Sequence, residues 1–204
     1  GDVEVGITIN TDDYGMETSW ELIDSNSDEI YANRSLPGGS TVIYFDAGLD
    51  EQTSEYRKDA YSSHFMNTAS SIAFDDAGYF ATSLECKDAN NETNGLFSGP
   101  TLWDADLSVY AIIHQNDSYG GSHIDMIHQS PYSMGVEYAG SGNVYWVFDG
   151  FHSAIVRYDF ATPHEYGGDD HADGIVWRYG EIDVEREEGI PSHMVLDDES
   201  RLLY

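Results

Sequence analysis

Gly135-Val136-Glu137-Tyr138-Ala139-Gly140-Ser141-Gly142-Asn143-Val144-Tyr145-Trp146-Val147 reads as two short hydrophobic strands joined by a turn rich in glycine. Val136, Tyr138, Val144 and Trp146 are residue types that fit a pleated surface, and Gly142-Asn143 supplies the backbone freedom that a reversal needs. Two further segments resemble it. One is Ser71-Ile72-Ala73-Phe74-Asp75-Asp76-Ala77-Gly78-Tyr79-Phe80-Ala81, and the other runs from His193-Met194-Val195-Leu196-Asp197-Asp198 to Leu202-Leu203-Tyr204. They recur at an irregular spacing of about 60 residues, in the manner of diverged hairpins from propeller blades. The predicted fold is mainly β, built of short antiparallel strands and hairpins with much irregular loop, in a partial or distorted propeller-like arrangement.

Outward from these hairpins the alternation continues. Val3, Val5, Ile7 and Ile9 share one face of a predicted strand, and Thr41–Phe45, Val109–Ile113 and Ala154–Tyr158 are β-branched or aromatic runs bounded by turn residues. Asp50–Tyr61 is a weak helix candidate, with Tyr56 and Ala60 on one face. The stretches 86–99 and 163–174, rich in Asn, Asp, Ser and Gly, predict irregular chain for bound ions to hold. The organisation expected is one β-rich domain over residues 1–204, with the strands of 1–48 in a subsidiary sheet.

The chain has 204 residues, of which 40% are hydrophobic, enough for a sizeable core. Against 38 acidic residues stand 8 basic ones, and the net charge of −30 repels phosphates and anionic lipids. Nucleic acid and membrane surfaces are therefore poor partners, whereas cations are attracted. Cys86 is the sole cysteine, so no internal disulfide forms. The longest compact apolar run, Val144–Phe148, is far shorter than the roughly 20 residues of a membrane-spanning helix. A chain beginning Gly1-Asp2 is compatible with a removed export signal.

Eight histidines in so acidic a chain invite a metal reading, since imidazole suits copper and zinc and carboxylate suits calcium. His64 and His114 stand at predicted strand ends, where side chains from different strands converge. His123-Ile124-Asp125-Met126-Ile127-His128 is denser. In an unbroken strand His123 and Asp125 share a face and His128 does not, which favours a structural role for the cluster. Asp169-Asp170-His171-Ala172-Asp173-Gly174 resembles the start of a calcium loop, making Asp169, Asp170 and Asp173 calcium candidates. The position eleven beyond Asp169 is Gly180 and not Glu, so an EF-hand is excluded. No nucleophile elbow, phosphate loop or zinc-protease signature occurs, which points away from conventional enzymes.

His64-Phe65-Met66, Ser71–Phe74, Gly99-Pro100-Thr101-Leu102-Trp103, His123–Pro131 and Val144–Phe160 together resemble the MopE/CorA family of surface-associated copper(I) proteins of methanotrophic bacteria, over residues 60–204. The resemblance implies a β-rich protein exported to the cell surface, without catalytic activity, that captures or stores copper. It implies one Cu(I) held by two histidines and by a kynurenine, an oxidised tryptophan two residues before the first histidine. His64 matches that first histidine and His114 is assigned as the second. Ser62 stands where the family has tryptophan, and Trp103, the nearest tryptophan in a matching segment, is expected in the core. Two other readings compete: a calcium-stabilised adhesion or carbohydrate-binding module, and a zinc-dependent hydrolase using His123, Asp125, His128 or His171.

Overall fold

The computed structural model describes residues 20–23, 29–33 and 39–204 except 170, 182, 189 and 191. The predicted strand Val3–Ile9 lies outside the described residues. Two compact units divide at Pro37/Gly38. In the first, β1 (Trp20–Ile23) pairs antiparallel with β2 (Glu29–Asn33). The second holds every other element. Its β3 (Ser40–Phe45) forms a hairpin with β4 (Thr53–Lys58).

The body of the second unit is two four-stranded antiparallel meanders. The first comprises β5 (Ala69–Phe74), β6 (Tyr79–Leu84), β7 (Thr101–Asp104) and β8 (His123–Met126), paired in chain order. The second repeats that order with β9 (Ser133–Tyr138), β10 (Val144–Asp149), β11 (Ala154–Asp159) and β12 (Ile175–Tyr179). A third hairpin, β13 (Leu196–Asp197) with β14 (Leu202–Leu203), follows. The three hairpins legible in the sequence are thus the opening hairpins β5–β6, β9–β10 and β13–β14, and the mainly β expectation holds. Adjacent meanders meet through β5 and β9, where Ser70 Oγ donates to the Ser133 carbonyl at 2.7 Å. The repeat is blade-like, and no sheet among the described residues closes into a barrel.

Alternation places the core. Ala81 and Leu102 of the first meander pack against Val136, Val147, Val156 and Tyr158 of the second, all buried. The opposite face of the first meander presents Phe80, Leu84 and Trp103 to Phe65, Met66 and Tyr110. Each fully buried aliphatic side chain contributes about 1.5–3 kcal/mol. Trp103 is wholly buried with its Nε1 donating to Thr82 Oγ1 at 3.0 Å, the core role expected of it.

Two expected elements differ. Val109–Ile113 is a succession of turns rather than a strand. Asp106 accepts from the Ser108 amide and hydroxyl, and the Val109 and Tyr110 amides fold back onto its carbonyl, so the local hydrogen bonds curl the chain and drive Tyr110 inward. Asp50–Tyr61 contains β4 instead of a helix, because Arg57 is drawn inward to donate to the carbonyls of Leu107 and Tyr110. The one helical turn among the described residues, α1 (Ser62–Phe65), follows it. No helix among the described residues is long and apolar enough to cross a membrane.

Candidate metal centre

Strand β8 carries His123 and Asp125, and its register is broken. Leu102 faces Asp125 and Trp103 faces His123, which leaves Ile124 without a partner. Such a bulge re-aims side chains, and here it lets His123 and Asp125 serve different neighbours instead of one shared face. Asp59, fully buried, anchors the region: it accepts from the Ser122 amide and hydroxyl, from Gln115 Nε2 and from the Tyr61 amide, tying the turn that bears His64 to the strand that bears His123. The loop between β11 and β12 is stitched to the same place. Gly167 N donates to the His123 carbonyl at 2.8 Å, and Gly120 N to the Gly167 carbonyl at 2.9 Å. A Cβ on Gly167, whose φ is +72°, would lie 2.6 Å from the Gly121 carbonyl oxygen, so the close approach requires glycine.

This stitching brings two loop histidines to the buried carboxylate of Asp125. His171 Nδ1 is 3.0 Å from Asp125 Oδ1 and His164 Nδ1 is 3.5 Å from Asp125 Oδ2, and one donor atom from each residue falls within 4.8 Å of the other two. Asp125 is 0% exposed, yet neither of its oxygens nor either Nδ1 has a hydrogen-bond partner, because the ring nitrogens are close without being aligned. His164 Nε2 lies 3.1 Å from Asp173 Oδ1. This contact turns Nε2 of His164 toward Asp173 and its other ring nitrogen, Nδ1, toward Asp125.

A second pair of imidazoles lines a cavity of about 870 Å³ that also reaches His123 and His171. The Nε2 atoms of His64 and His128 are 3.4 Å apart. Phe97 stacks on His128 at 3.5 Å between centroids, and Phe65 stacks on His123 at 3.6 Å while its edge meets His64 at 4.5 Å. Burial in this aromatic lining pulls His128 down to about 3, and the neighbouring imidazoles of His64, His171 and His123 disfavour its protonation further. Burial likewise takes His123 down to about 4 and lowers His64. All three rings are therefore neutral at physiological pH, each with a proton on one ring nitrogen and a lone pair on the other. His123 donates Nδ1–H to the Gly120 carbonyl at 2.7 Å, and its buried Nε2 has no partner.

The sequence-derived candidates fall in different places. His64 meets His128 and not His114. His114, at a positive φ of 54°, pairs through Nδ1 with Asp117 Oδ2 at 2.6 Å and lines a separate cavity of about 430 Å³. Ser62 is fully buried beneath Gly39, where an added Cβ would lie 2.7 Å from that of Ser62, so this position has no room for a tryptophan-sized ligand and does not line the larger cavity. Of the calcium candidates, Asp169 is an exposed residue on the rim of that cavity and Asp170 lies outside the described residues. Asp173 spends both oxygens on protein groups, Oδ1 on His164 and Oδ2 on the Thr162 amide at 3.2 Å. Cys86 packs near Ser98, and burial raises its thiol above the ordinary value. His123, Asp125 and His128, read from the sequence as mainly structural, and His171, weighed with them for a hydrolase, all reach this region. His164 went unnoticed. Its available signal was position, a histidine seven residues before His171 in the loop expected to hold ions.

The arrangement offers two kinds of donor set: neutral imidazoles facing one another in an aromatic lining, and imidazoles with a buried carboxylate. No protein-family model matches the chain, and no curated protein matches it in sequence.

Proposed function

We propose that this protein binds copper, holding Cu(I) between His64 and His128, and that it acts in copper capture or storage rather than in catalysis. The observation that carries the reading is the approach of two Nε2 atoms to 3.4 Å. Burial keeps both rings neutral, so each has a lone pair to give a metal, and the two Nε2 atoms meet with no carboxylate between them. Cu(I) accepts low coordination by neutral nitrogen donors, and a dry aromatic shell favours the ion of lower charge. The resemblance to the copper(I) family contributes His64 and the expectation of export to the cell surface. In this reading His128 takes the place of His114, and no third ligand is needed at Ser62. The charge of −30 supports the reading by attracting cations, though it does not select among them.

The test is a competition titration with a chromophoric Cu(I) chelator under anaerobic, reducing conditions. One Cu(I) per chain is expected for the wild type and for His114→Ala, with loss in His64→Ala and in His128→Ala. Retention in both of those variants, or loss confined to His114→Ala, overturns the assignment.

A further inference from the structure

The cluster around Asp125 is not accounted for by copper capture at His64 and His128. A buried carboxylate without a hydrogen bond costs several kcal/mol unless a positive charge compensates it. The described structure gives Asp125 two such unpartnered oxygens, each turned toward a ring nitrogen that is itself unpartnered. The separations match a metal's coordination shell. Ligands about 2.1 Å from a tetrahedral ion stand about 3.4 Å from one another; here the nitrogen-to-oxygen distances, one to each oxygen of Asp125, are 3.0 and 3.5 Å, and one donor atom of each of the three residues lies within 4.8 Å of the other two. Asp173 Oδ1 lies 3.1 Å from His164 Nε2, where an outer carboxylate would orient a metal-bound histidine.

We propose that Asp125, His164 and His171 form a second metal site, distinct from the His64–His128 pair, that takes a divalent ion of the zinc class. Two imidazoles and one carboxylate suit a borderline divalent ion. The set is too nitrogen-rich for calcium, and its anionic oxygen suits a divalent ion better than Cu(I). Three protein ligands leave a fourth position to an exogenous molecule, beside the free Nε2 of His123, whose ring centroid is 5.5 Å from that of His171. Asp173 is a positioning residue, acting through His164.

Co(II) is the probe, because a tetrahedral nitrogen and oxygen site gives it intense visible bands and Zn(II) displaces it. The wild-type chain is expected to bind one Co(II) with such bands, and His64→Ala and His128→Ala to bind it equally well. His164→Ala and His171→Ala are expected to lose it while keeping a wild-type circular dichroism spectrum. Asp173→Asn, a change at a partly exposed residue, is expected to weaken Co(II) by about 10-fold with the thermal stability of the metal-free chain unchanged. If the rings merely hold protons and pair with Asp125, equilibrium dialysis finds no bound Co(II), and the proposal falls. It also falls if the bands survive in the His164→Ala/His171→Ala double variant, or if they vanish with His64. The result is independent of the Cu(I) titration, so either site can fail alone.

Discussion

His64 and His128 lie against the rings of Phe65 and Phe97, with each other's nitrogens in reach. His164 and His171, a short way along the same loop-built region, close on Asp125, and His164 is held from behind by Asp173. The same side chain is thus placed in two electrostatic settings. In the first, burial removes the proton and leaves neutral donors. In the second, a buried anion calls for positive charge. What separates the two is the partner that the fold supplies, and under the two proposals that partner sets the oxidation state and hardness of the ion each would take. The sharpest way to break this contrast is to measure metal-linked stability. With Zn(II) at 1,000 times its dissociation constant, binding to the native state alone stabilises it by about 4 kcal/mol. We expect that increment in thermal unfolding of the wild type and its absence in Asp125→Asn, whose metal-free form melts no lower than the wild type because a buried charge has been removed. An equal Zn(II) increment in Asp125→Asn would erase the distinction between the two settings.

The pH dependence probes the other setting. His123 and His128 titrate at about 4 and about 3 in the folded chain, against about 6.5 when unfolded. Between those limits the unfolded chain carries protons that the folded chain refuses, so stability rises with pH. The contribution is fully present above about 6.5 and is lost as pH falls toward 4, at about 1.4 kcal/mol per pH unit for each proton taken up. Denaturant midpoints of the metal-free protein at pH 7, 6 and 5 should therefore fall in turn, and His128→Phe should flatten the slope. A midpoint that does not move over this range would mean that the rings are solvated and the aromatic wall does not exclude water.

How much of this was legible beforehand follows from which signals are local. The hairpins were readable because alternation and turn residues act within a few positions, and β5–β6, β9–β10 and β13–β14 stand where the sequence puts them. Val109–Ile113 misled because its β-branched residues carry the strand preference while Asp106 and Ser108 set the turn just before them. The cluster on β8 was discounted by assuming an unbroken strand, and the unpaired Ile124 removes that premise. His164 could not be tied to Asp125 from spacing, since the contact depends on Gly167 and Gly120 closing one loop against another. Loop-to-loop closure has no periodic signature.

The position of Ser62 sharpens the comparison with the copper family. A tryptophan there would need space that Gly39 and the backbone of α1 already fill. Ser62→Trp is expected to destabilise the fold by about 1–3 kcal/mol through overpacking, and to leave Cu(I) affinity no higher than in the wild type. A tighter Cu(I) complex in this variant would show that the backbone yields and that the family's third-ligand position is accessible.

The smallest expected effect isolates the aromatic wall itself. Phe97 covers His128 at 3.5 Å with an interplanar angle of 11°, while His64 is 6.2 Å from the same ring at 50°. Phe97 is 42% exposed, so truncating it opens little of the core. Its contribution is to orient one imidazole and keep water from it, an aromatic contact worth about 0.5–1.5 kcal/mol. Phe97→Ala should accordingly weaken Cu(I) by about 2- to 12-fold in the chelator competition, with Co(II) binding unchanged, because Asp125, His164 and His171 do not depend on that ring. Phe97→Leu should behave like the alanine variant if stacking matters and like the wild type if only water exclusion does. The pair of variants therefore separates the two ways in which an aromatic lining can prepare a neutral imidazole for a soft ion. Equal weakening of Co(II) would instead mean that the two donor sets form one coupled site.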